Sequence, residues 1–388
     1  MQNPVFVKGF SAELPPYCRP QQESFEWLAA AHARAAATHA HREDIPEKLH
    51  ERMIKRIGRY SCSDEHIGWR RSEIRDYTHT DWPQMEIFNL HENPRGRGLE
   101  VRNAVYATAV TRAVESLYSK DLDPPSDLLH VSCTGYVSPS AVQRLIERKG
   151  WNEQTKAMQV YHMGCYAALP ALRIAAGLVN NHGAHIRARA EIVHNELCTL
   201  HFNPADHSPE QLVIQTLFAD GHIRYSVFPK SNTECQSDCE ALEVLAFQEE
   251  IIPDSINDMT WELSEWGFQM TLSRDVPRKI ACRLPGFLST LCLNAGISHS
   301  EQMGKAIFAV HPGGPRILDS VAELLCLKQE QIRHSRRVLF ERGNMSSATL
   351  PHIWMATVAD RSIKPGTPII SLAFGPGLTI AGALFRKC

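Results

Sequence analysis

Three strand–loop–helix phrases in the first half of the chain recur in the second half, in the same order and at nearly constant spacing. DLLHVSCTG followed by SPSAVQRLIERKG is echoed by AIFAVHPGG followed by RILDSVAELLCL. MQVYHMGCYAALPALRIAAG is echoed by RVLFERGNMSSATLPHIWMATV, and AEIVHNELCTL by PIISLAFGPGL. Cys133 and Cys165 stand 32 residues apart and His311 and Asn344 33, while Cys165 to Glu196 and Asn344 to Gly375 both span 31. One pair of apolar strands aligns easily by chance, but three in register imply a duplicated unit. Short apolar strands alternating with helices make each unit α/β. Two such units packed about a pseudo-two-fold bring like ends together. Cys165 and Asn344 are then expected at the N-termini of twin helices, with His311 on a neighbouring strand end, in the place that Cys133 takes in the first half. The reading divides the chain into residues 1–228, with a helical N-terminal extension and Cys165, and residues 229–388, with His311 and Asn344.

A chain of 388 residues exceeds one ordinary core, which agrees with two fused halves. Its 43% apolar and 22% charged residues are those of a globular protein, and a net charge of −2 provides no field to recruit nucleic acid. No apolar run reaches the ~18–20 residues of a membrane span. The N-terminus lacks the basic-then-apolar order of an export signal, so a cytoplasmic location is expected. Eleven scattered cysteines then read as reduced thiols. The closest pair, Cys235 and Cys239, has no second ligand pair nearby, so the stretch reads as a loop and no metal is expected.

Cys165 follows Gly164 and opens a helical pattern, where the partial positive charge of a helix end favours thiolate. His311 closes an apolar strand before Pro312-Gly313-Gly314, where an imidazole can pair with that thiol and later donate to a thioester oxygen. Asn344 offers an amide N–H suited to an oxyanion or enolate, and is also a natural helix N-cap. Nucleophile, imidazole and amide form an acyl-transfer set, and the order Cys, His, Asn is shared with papain-like hydrolases. The duplication and the absence of a Cys-Gly-Ser-Cys-Trp phrase speak against a hydrolase.

From about residue 95 to the end, the phrases SCTG, MGCYAALPALR, LFADG, VHPGGPRILD with ERGNMSSA, and AFGPGLT resemble the chalcone synthase-like type III polyketide synthases. The SCTG form, with Cys133 where plant members carry threonine, is similar to bacterial naphthol-forming members. The resemblance implies a homodimeric thiolase fold with a five-layered α-β-α-β-α core and no bound cofactor or metal. It implies that Cys165 accepts an acyl group, while His311 and Asn344 position malonyl-CoA for decarboxylation and condensation. It further implies a cavity in which Phe218 matches a gatekeeper phenylalanine, Ser346 a pocket serine, Glu196 a buried acid, and Phe374 opens the near-signature Phe-Gly-Pro-Gly. Cys133 is either a cavity residue that perturbs Cys165 or a spectator thiol. Phe218 is alternatively plain core, and Glu196 alternatively a structural hydrogen-bond acceptor.

Three positions depart from the plant pattern. Met270 replaces a second gatekeeper phenylalanine, His201 a threonine and Trp261 a glycine. These bulky groups are expected to close the space used by aromatic starters, which favours a fatty acyl starter and an alkylpyrone or alkylresorcinol product. A single-condensation ketosynthase is the alternative, and a cysteine hydrolase a remote one. In the N-terminal hundred residues, Arg52, Lys55, Arg56 and Arg59 are either a solvated helix face or a binding face for the phosphates of CoA or for an acyl carrier protein.

Overall fold

A computed structural model of the chain describes residues 4–121, 123–182, 188–230, 240–298 and 304–388; Cys235 and Cys239 lie outside the described residues. Nine strands form one mixed sheet. In chain order these are β1 (Val5–Glu13), β4 (Asp127–Ser132), β5 (Lys156–Tyr161), β6 (Ala190–Leu197), β7 (Asp220–Pro229), β8 (Leu242–Ile251), β11 (Ile307–Val310), β12 (Pro368–Gly375) and β13 (Thr379–Lys387). Two hairpin-like pairs stand apart: β2 (Tyr17–Pro20) with β3 (Trp69–Ser72), and β9 (Met259–Leu263) with β10 (Phe268–Leu272). The order across the large sheet is β11-β12-β13-β8-β1-β7-β6-β4-β5.

That order is a palindrome about the β8–β1 seam, with only β5 lacking a twin. β4 runs parallel to β6 and β6 antiparallel to β7; β11 runs parallel to β12 and β12 antiparallel to β13. The echoed phrases thus become β4/β11 and β6/β12, as their sequences indicate. The seam is closed by β1 against β8 through Val5–Val244, Phe6–Glu243 and Val7–Leu242. Its first partner, the N-terminal strand, carries no echo and was not anticipated.

One echoed strand is corrected. RVLFERGN was read as the twin of β5, but it belongs to a helix, Gln329–Arg342, that ends at Gly343 with φ +70°. Ile332, Ser335 and Leu339 are buried at helical spacing while Phe340 is exposed, so the apolar triplet is only a local stretch of a helix face. What survives of the twin strand is a single parallel bridge between Asn344 and Phe218.

The helices are α1 (Gln21–His39), α2 (Glu47–Tyr60), α3 (Leu99–Leu117), α4 (Ala141–Lys149), α5 (Ala168–Asn181), α6 (Pro209–Leu217), α7 (Val276–Asn294), α8 (Pro315–Leu324), α9 (Gln329–Arg342) and α10 (Thr349–Ala359). Two of them, α5 and α10, are buried on nearly all sides. They share a core with Leu129, Val131 and Ile192 from one half of the sheet and Ile307, Ala309, Ala381 and Phe385 from the other. The opposite sheet faces, through Leu128, Phe308, Val310, Ile370 and Leu384, pack in a second core with residues of the remaining helices. Strand alternation therefore feeds two apolar layers, the arrangement of a five-layered thiolase fold. Alanines 168, 171, 175 and 176 keep α5 slim enough for that central position. Among the described residues no helix is long and apolar enough to cross a membrane, and no group of three or more His, Cys, Asp or Glu is placed to hold a metal ion.

Candidate active site

Beyond β5 the chain makes a tight reversal, with His162 at φ +62° and Gly164 at φ +76°, before the 3-10 turn Gly164–Tyr166 delivers Cys165 to the foot of α5. A Cβ at Gly164 would sit 2.7 Å from Cδ of Pro376, and one at Gly375 would sit 2.2 Å from Cδ1 of Tyr166. The Phe374-Gly375-Pro376-Gly377 phrase therefore works as a bed for the Cys165 turn. Phe374 itself is buried in the outer core, and Pro376 is the member that reaches the cavity. Gly164→Ala is expected to lower stability by about 2–3 kcal/mol, from the left-handed backbone and the overlap with Pro376, as a shift in urea midpoint.

Cys165 lines a cavity whose empty space, with the solvent at its open mouth included, is about 580 Å³. Cys133, Thr134, Cys198, His201, Phe202, Ile214, Phe218, Trp261, Phe268, Met270 and Ser346 share its wall. Of these, Thr134, Cys198, Phe202, Ile214 and Phe268 went unnoticed in the sequence. Thr134 and Phe202 adjoin the noted Cys133 and His201, but the others carry no local signal.

The far wall is an aromatic plug. His201 stacks on Phe268 with centroids 4.4 Å apart, and Trp261 meets both rings edge-on at 5.6 Å. Nε2 of His201 bonds the Thr134 carbonyl at 2.8 Å, and Nδ1 accepts from the Phe268 N–H at 3.1 Å. Burial holds this imidazole neutral, pulled down to about 3. The Trp261 indole donates to the Cys133 carbonyl at 2.6 Å, and the Trp261 carbonyl bonds Nε2 of His162 at 2.9 Å. Met270 pairs across the β9–β10 ladder with Trp261, so two of the three departures from the plant pattern stand on one hairpin.

Behind the wall lies Glu196, wholly buried. Its carboxylate accepts from the Cys133 N–H at 3.0 Å, from Thr134 Oγ1 at 2.9 Å and from Ser347 Oγ. Burial raises its pKa against these donors. Cys133 Sγ lies 3.4 Å from Glu196 and 3.0 Å from Ser346 Oγ, which in turn stands 3.8 Å from Cys165 Sγ. Glu196 and Ser347 thus reach the site through Cys133 and Ser346.

Asn344 and His311 are both buried and both hold unsatisfied polar groups. Asn344 Oδ1 accepts from the Ser346 N–H at 2.8 Å and from Thr349 Oγ1 at 3.4 Å, which fixes the amide orientation. Its Nδ2 has no hydrogen-bond acceptor of ordinary geometry. The amide acts on the Cys165 thiol as a weak donor that lowers its pKa. Asn344 is not the cap of α10; it lies two residues before the 3-10 turn Ser346–Ala348 that leads into that helix, whereas Cys165 lies within its own turn. The twin placement therefore holds to within two residues. His311 follows β11, anchored by its N–H to the Leu372 carbonyl at 2.8 Å.

The expected thiol–imidazole bond is not formed: neither ring nitrogen of His311 has a partner. Burial pushes the Cys165 thiol up to about 12, opposed by Ser346 and Asn344, and pulls His311 down to about 3. Withdrawal from water penalises either charge taken alone more than a helix end compensates it.

Of the four cations on α2, Arg52, Lys55 and Arg59 are exposed and Arg56 is half-buried. Arg56 Nε donates to the His207 carbonyl at 2.9 Å, just before α6, whose Gln211 and Ile214 line the cavity. The four fall on one helix face at i, i+3, i+4 and i+7 beside that wall.

Comparison with known proteins agrees with this geometry. Residues 99–227 match the N-terminal domain of chalcone and stilbene synthases and residues 243–388 their C-terminal domain. Type III polyketide synthase C of Arabidopsis thaliana is 32% identical over 281 residues, 71% of this chain and 69% of that protein. The C-terminal type III polyketide synthase domain of the Dictyostelium type I/III hybrid Steely1 superposes with a TM-score of 0.80 at 26% identity, covering 99% of each chain. The 1,3,6,8-tetrahydroxynaphthalene synthase of Streptomyces coelicolor A3(2) shares the fold, with a TM-score of 0.77 at 23% identity over 98% of this chain and 99% of that one. A thiolase-type palindromic sheet, a cysteine at the foot of one central helix and a match to both family domains place this chain in the chalcone and stilbene synthase family of type III polyketide synthases, acyltransferase-type condensing enzymes that work on CoA thioesters without a bound cofactor.

Proposed function

We propose that this chain condenses malonyl units onto an acyl group carried by Cys165, with His311 and Asn344 as its partners. The observation that carries the reading is the pair of buried, unsatisfied groups, the Asn344 Nδ2 and the His311 ring. Donors left unpaired inside a protein are costly unless a ligand completes them. As Cys165 Sγ attacks the acyl thioester, His311 takes the thiol proton, the carbon–sulfur bond to CoA breaks, and the departing thiolate is reprotonated. The malonyl thioester then loses its carboxylate as carbon dioxide. The electron pair passes into an enolate, whose oxygen receives hydrogen bonds from Asn344 and His311. The enolate carbon attacks the acyl carbonyl and Cys165 leaves as thiolate.

The apolar cavity with its clamped aromatic plug supports a linear fatty acyl starter, extension by malonyl-CoA and closure to an alkylpyrone or alkylresorcinol. Cys133, His201, Phe218, Trp261, Met270 and Ser346 would shape the growing chain. The confined wall at Trp261 and His201 also favours a second reading, a single condensation without cyclisation. The α2 cations would hold the CoA phosphates or an acyl carrier protein. The protein would work in the cytoplasm as two copies, each dividing at residues 228–229. The exposed edge strand β5, with Lys156 to Gln159 open to solvent, supports pairing between copies. The test is incubation of the purified protein with malonyl-CoA and acyl-CoAs of graded length, with products identified by mass. Cyclised products from fatty starters are expected; turnover of aromatic starters alone would defeat the fatty-acyl reading, and an unextended single ketone would favour the second.

A further inference from the structure

The last turn of α6 stands between the cavity and the N-terminal region, and each of its carbonyls can be traced to a donor. Ile214 accepts from the Phe218 N–H at 3.1 Å, in ordinary helix fashion. The Gln215 carbonyl accepts from Arg70 Nη1 at 2.8 Å, and the Phe218 carbonyl accepts from the same nitrogen at 2.9 Å. The Thr216 carbonyl accepts from Gln21 Nε2 at 2.8 Å. The Leu217 carbonyl accepts from the backbone N–H of Asn344 at 3.0 Å, and the Asn344 carbonyl accepts from the Ala219 N–H at 2.8 Å. A helix end leaves such carbonyls without intrahelical partners, and buried ones must be satisfied.

Two of the donors come from outside the region matched by the family domains. Gln21 begins α1 and Arg70 lies on β3, whereas the N-terminal domain match starts at residue 99. Arg70 is only 6% exposed, and no carboxylate lies within ion-pair distance of it among the described residues. Its Nε donates to Gln21 Oε1 at 2.7 Å. Burial lowers its pKa to about 10, which leaves the guanidinium charged at neutral pH. A buried cation with no ion-pair partner is costly, and here it is compensated by the negative end of α6 together with the nearby Asp220 carboxylate. Arg70 also abuts the site directly. A Cβ at Gly343, next to Asn344, would lie 3.2 Å from Arg70 Cγ and 3.0 Å from the Leu217 carbonyl oxygen. The guanidinium therefore grips the α6 end on one side while its stem bears on the Asn344 segment on the other.

We infer that Arg70 is a positioning residue for the condensing site, which, with Gln21, locks the C-terminus of α6 so that Phe218 keeps its place on the cavity wall and Asn344 its place beside Cys165. The inference rests on the functional reading above for its kinetic consequence, but not for its structural one. Lysine cannot replace Arg70 in full, because a point charge cannot reproduce the planar fork that serves Gln21 with one nitrogen and two carbonyls with another. Cys165 stands on a separate turn, braced by Pro376, so its acylation should be spared.

The test uses the full chain with Arg70→Met and Arg70→Lys. Hydrogen exchange in segments 214–219 and 343–349 is expected to speed up by about tenfold or more in Arg70→Met, with the central strands close to the parent. The kcat for malonyl-CoA decarboxylation is expected to fall about tenfold or more, while acylation of Cys165 by hexanoyl-CoA, followed by intact mass, stays within about threefold. Arg70→Lys should recover part of both effects. Parental exchange in the two segments, or equal losses in decarboxylation and acylation, would overturn the inference. Should Arg70→Met not fold, Gln21→Met, which removes the donor to Thr216 and the acceptor of Arg70 Nε, is read by the same two criteria. A parent protein that does not decarboxylate malonyl-CoA would refute the functional reading alone, and the exchange measurement would still decide the role of Arg70.

Discussion

Asn344→Asp is expected to lower malonyl-CoA decarboxylation by about 10²–10³-fold, the usual cost of removing one oxyanion donor, without unfolding the protein. The substitution isolates one atom. Aspartate keeps an oxygen where Oδ1 now accepts from the Ser346 N–H and from Thr349, so the 3-10 turn before α10 retains its brace. Only Nδ2, the group left without an ordinary acceptor, is exchanged for an oxygen. That oxygen repels an enolate instead of bonding it. Acylation of Cys165 should slow much less, since the amide contributes only secondarily to the thiol's protonation, after burial, Ser346 and Glu196. Release of carbon dioxide and the mass gain on Cys165 separate the two steps. Equal loss in both would mean that Asn344 serves the thiol rather than the malonyl unit.

His311→Ala should change the reactivity of Cys165 as strongly. Burial holds the thiol at about 12, and a raised pKa keeps the neutral form in place until the pH passes it. With no imidazole to take the proton, only a very small fraction of the molecules is thiolate at pH 7. Alkylation of the variant by iodoacetamide should therefore climb tenfold for each pH unit from about 6 to 9. The parent should react about a hundredfold faster at pH 7 and with a shallower slope, because proton transfer to His311 creates two charges that compensate each other. The rate is read as the mass added to Cys165 with time. A variant that reacts as fast as the parent would remove His311 from the role of proton acceptor.

The two substitutions also show which parts of the site were legible in the chain itself. Cys165 and His311 each follow a strand and Asn344 follows a helix, all with glycine within two residues, a local pattern that a sequence records directly. The plug at His201, Trp261 and Met270 was legible only as departures from a family pattern. Their mutual contact depends on a hairpin that begins some sixty residues after His201. In the conspicuous phrase at Phe374 the neighbours carry the packing: Gly375 and Pro376 seat the Cys165 turn, and the phenylalanine lies in the core. RVLFERGN failed because three adjacent apolar residues look alike in a strand and on a helix, and only the burial of Ile332, Ser335 and Leu339 separates the two. Arg70 had no local signal at all, being one arginine in a polar stretch whose partners lie at positions 21, 215 and 218.

By itself the sequence determined the α/β class, the echoed strand pairs β4/β11 and β6/β12, and Cys165, His311 and Asn344 as the candidate reacting residues, because periodicity, spacing and residue chemistry are properties of short segments. Tertiary structure alone decided the closing of the two halves through β1 and β8, the burial that raises the Cys165 thiol and lowers His311, and the orientation of the Asn344 amide. Each of these depends on what surrounds a group once water is excluded. Desolvation and the satisfaction of buried donors are set by neighbours brought from all parts of the chain, and no local segment carries that information.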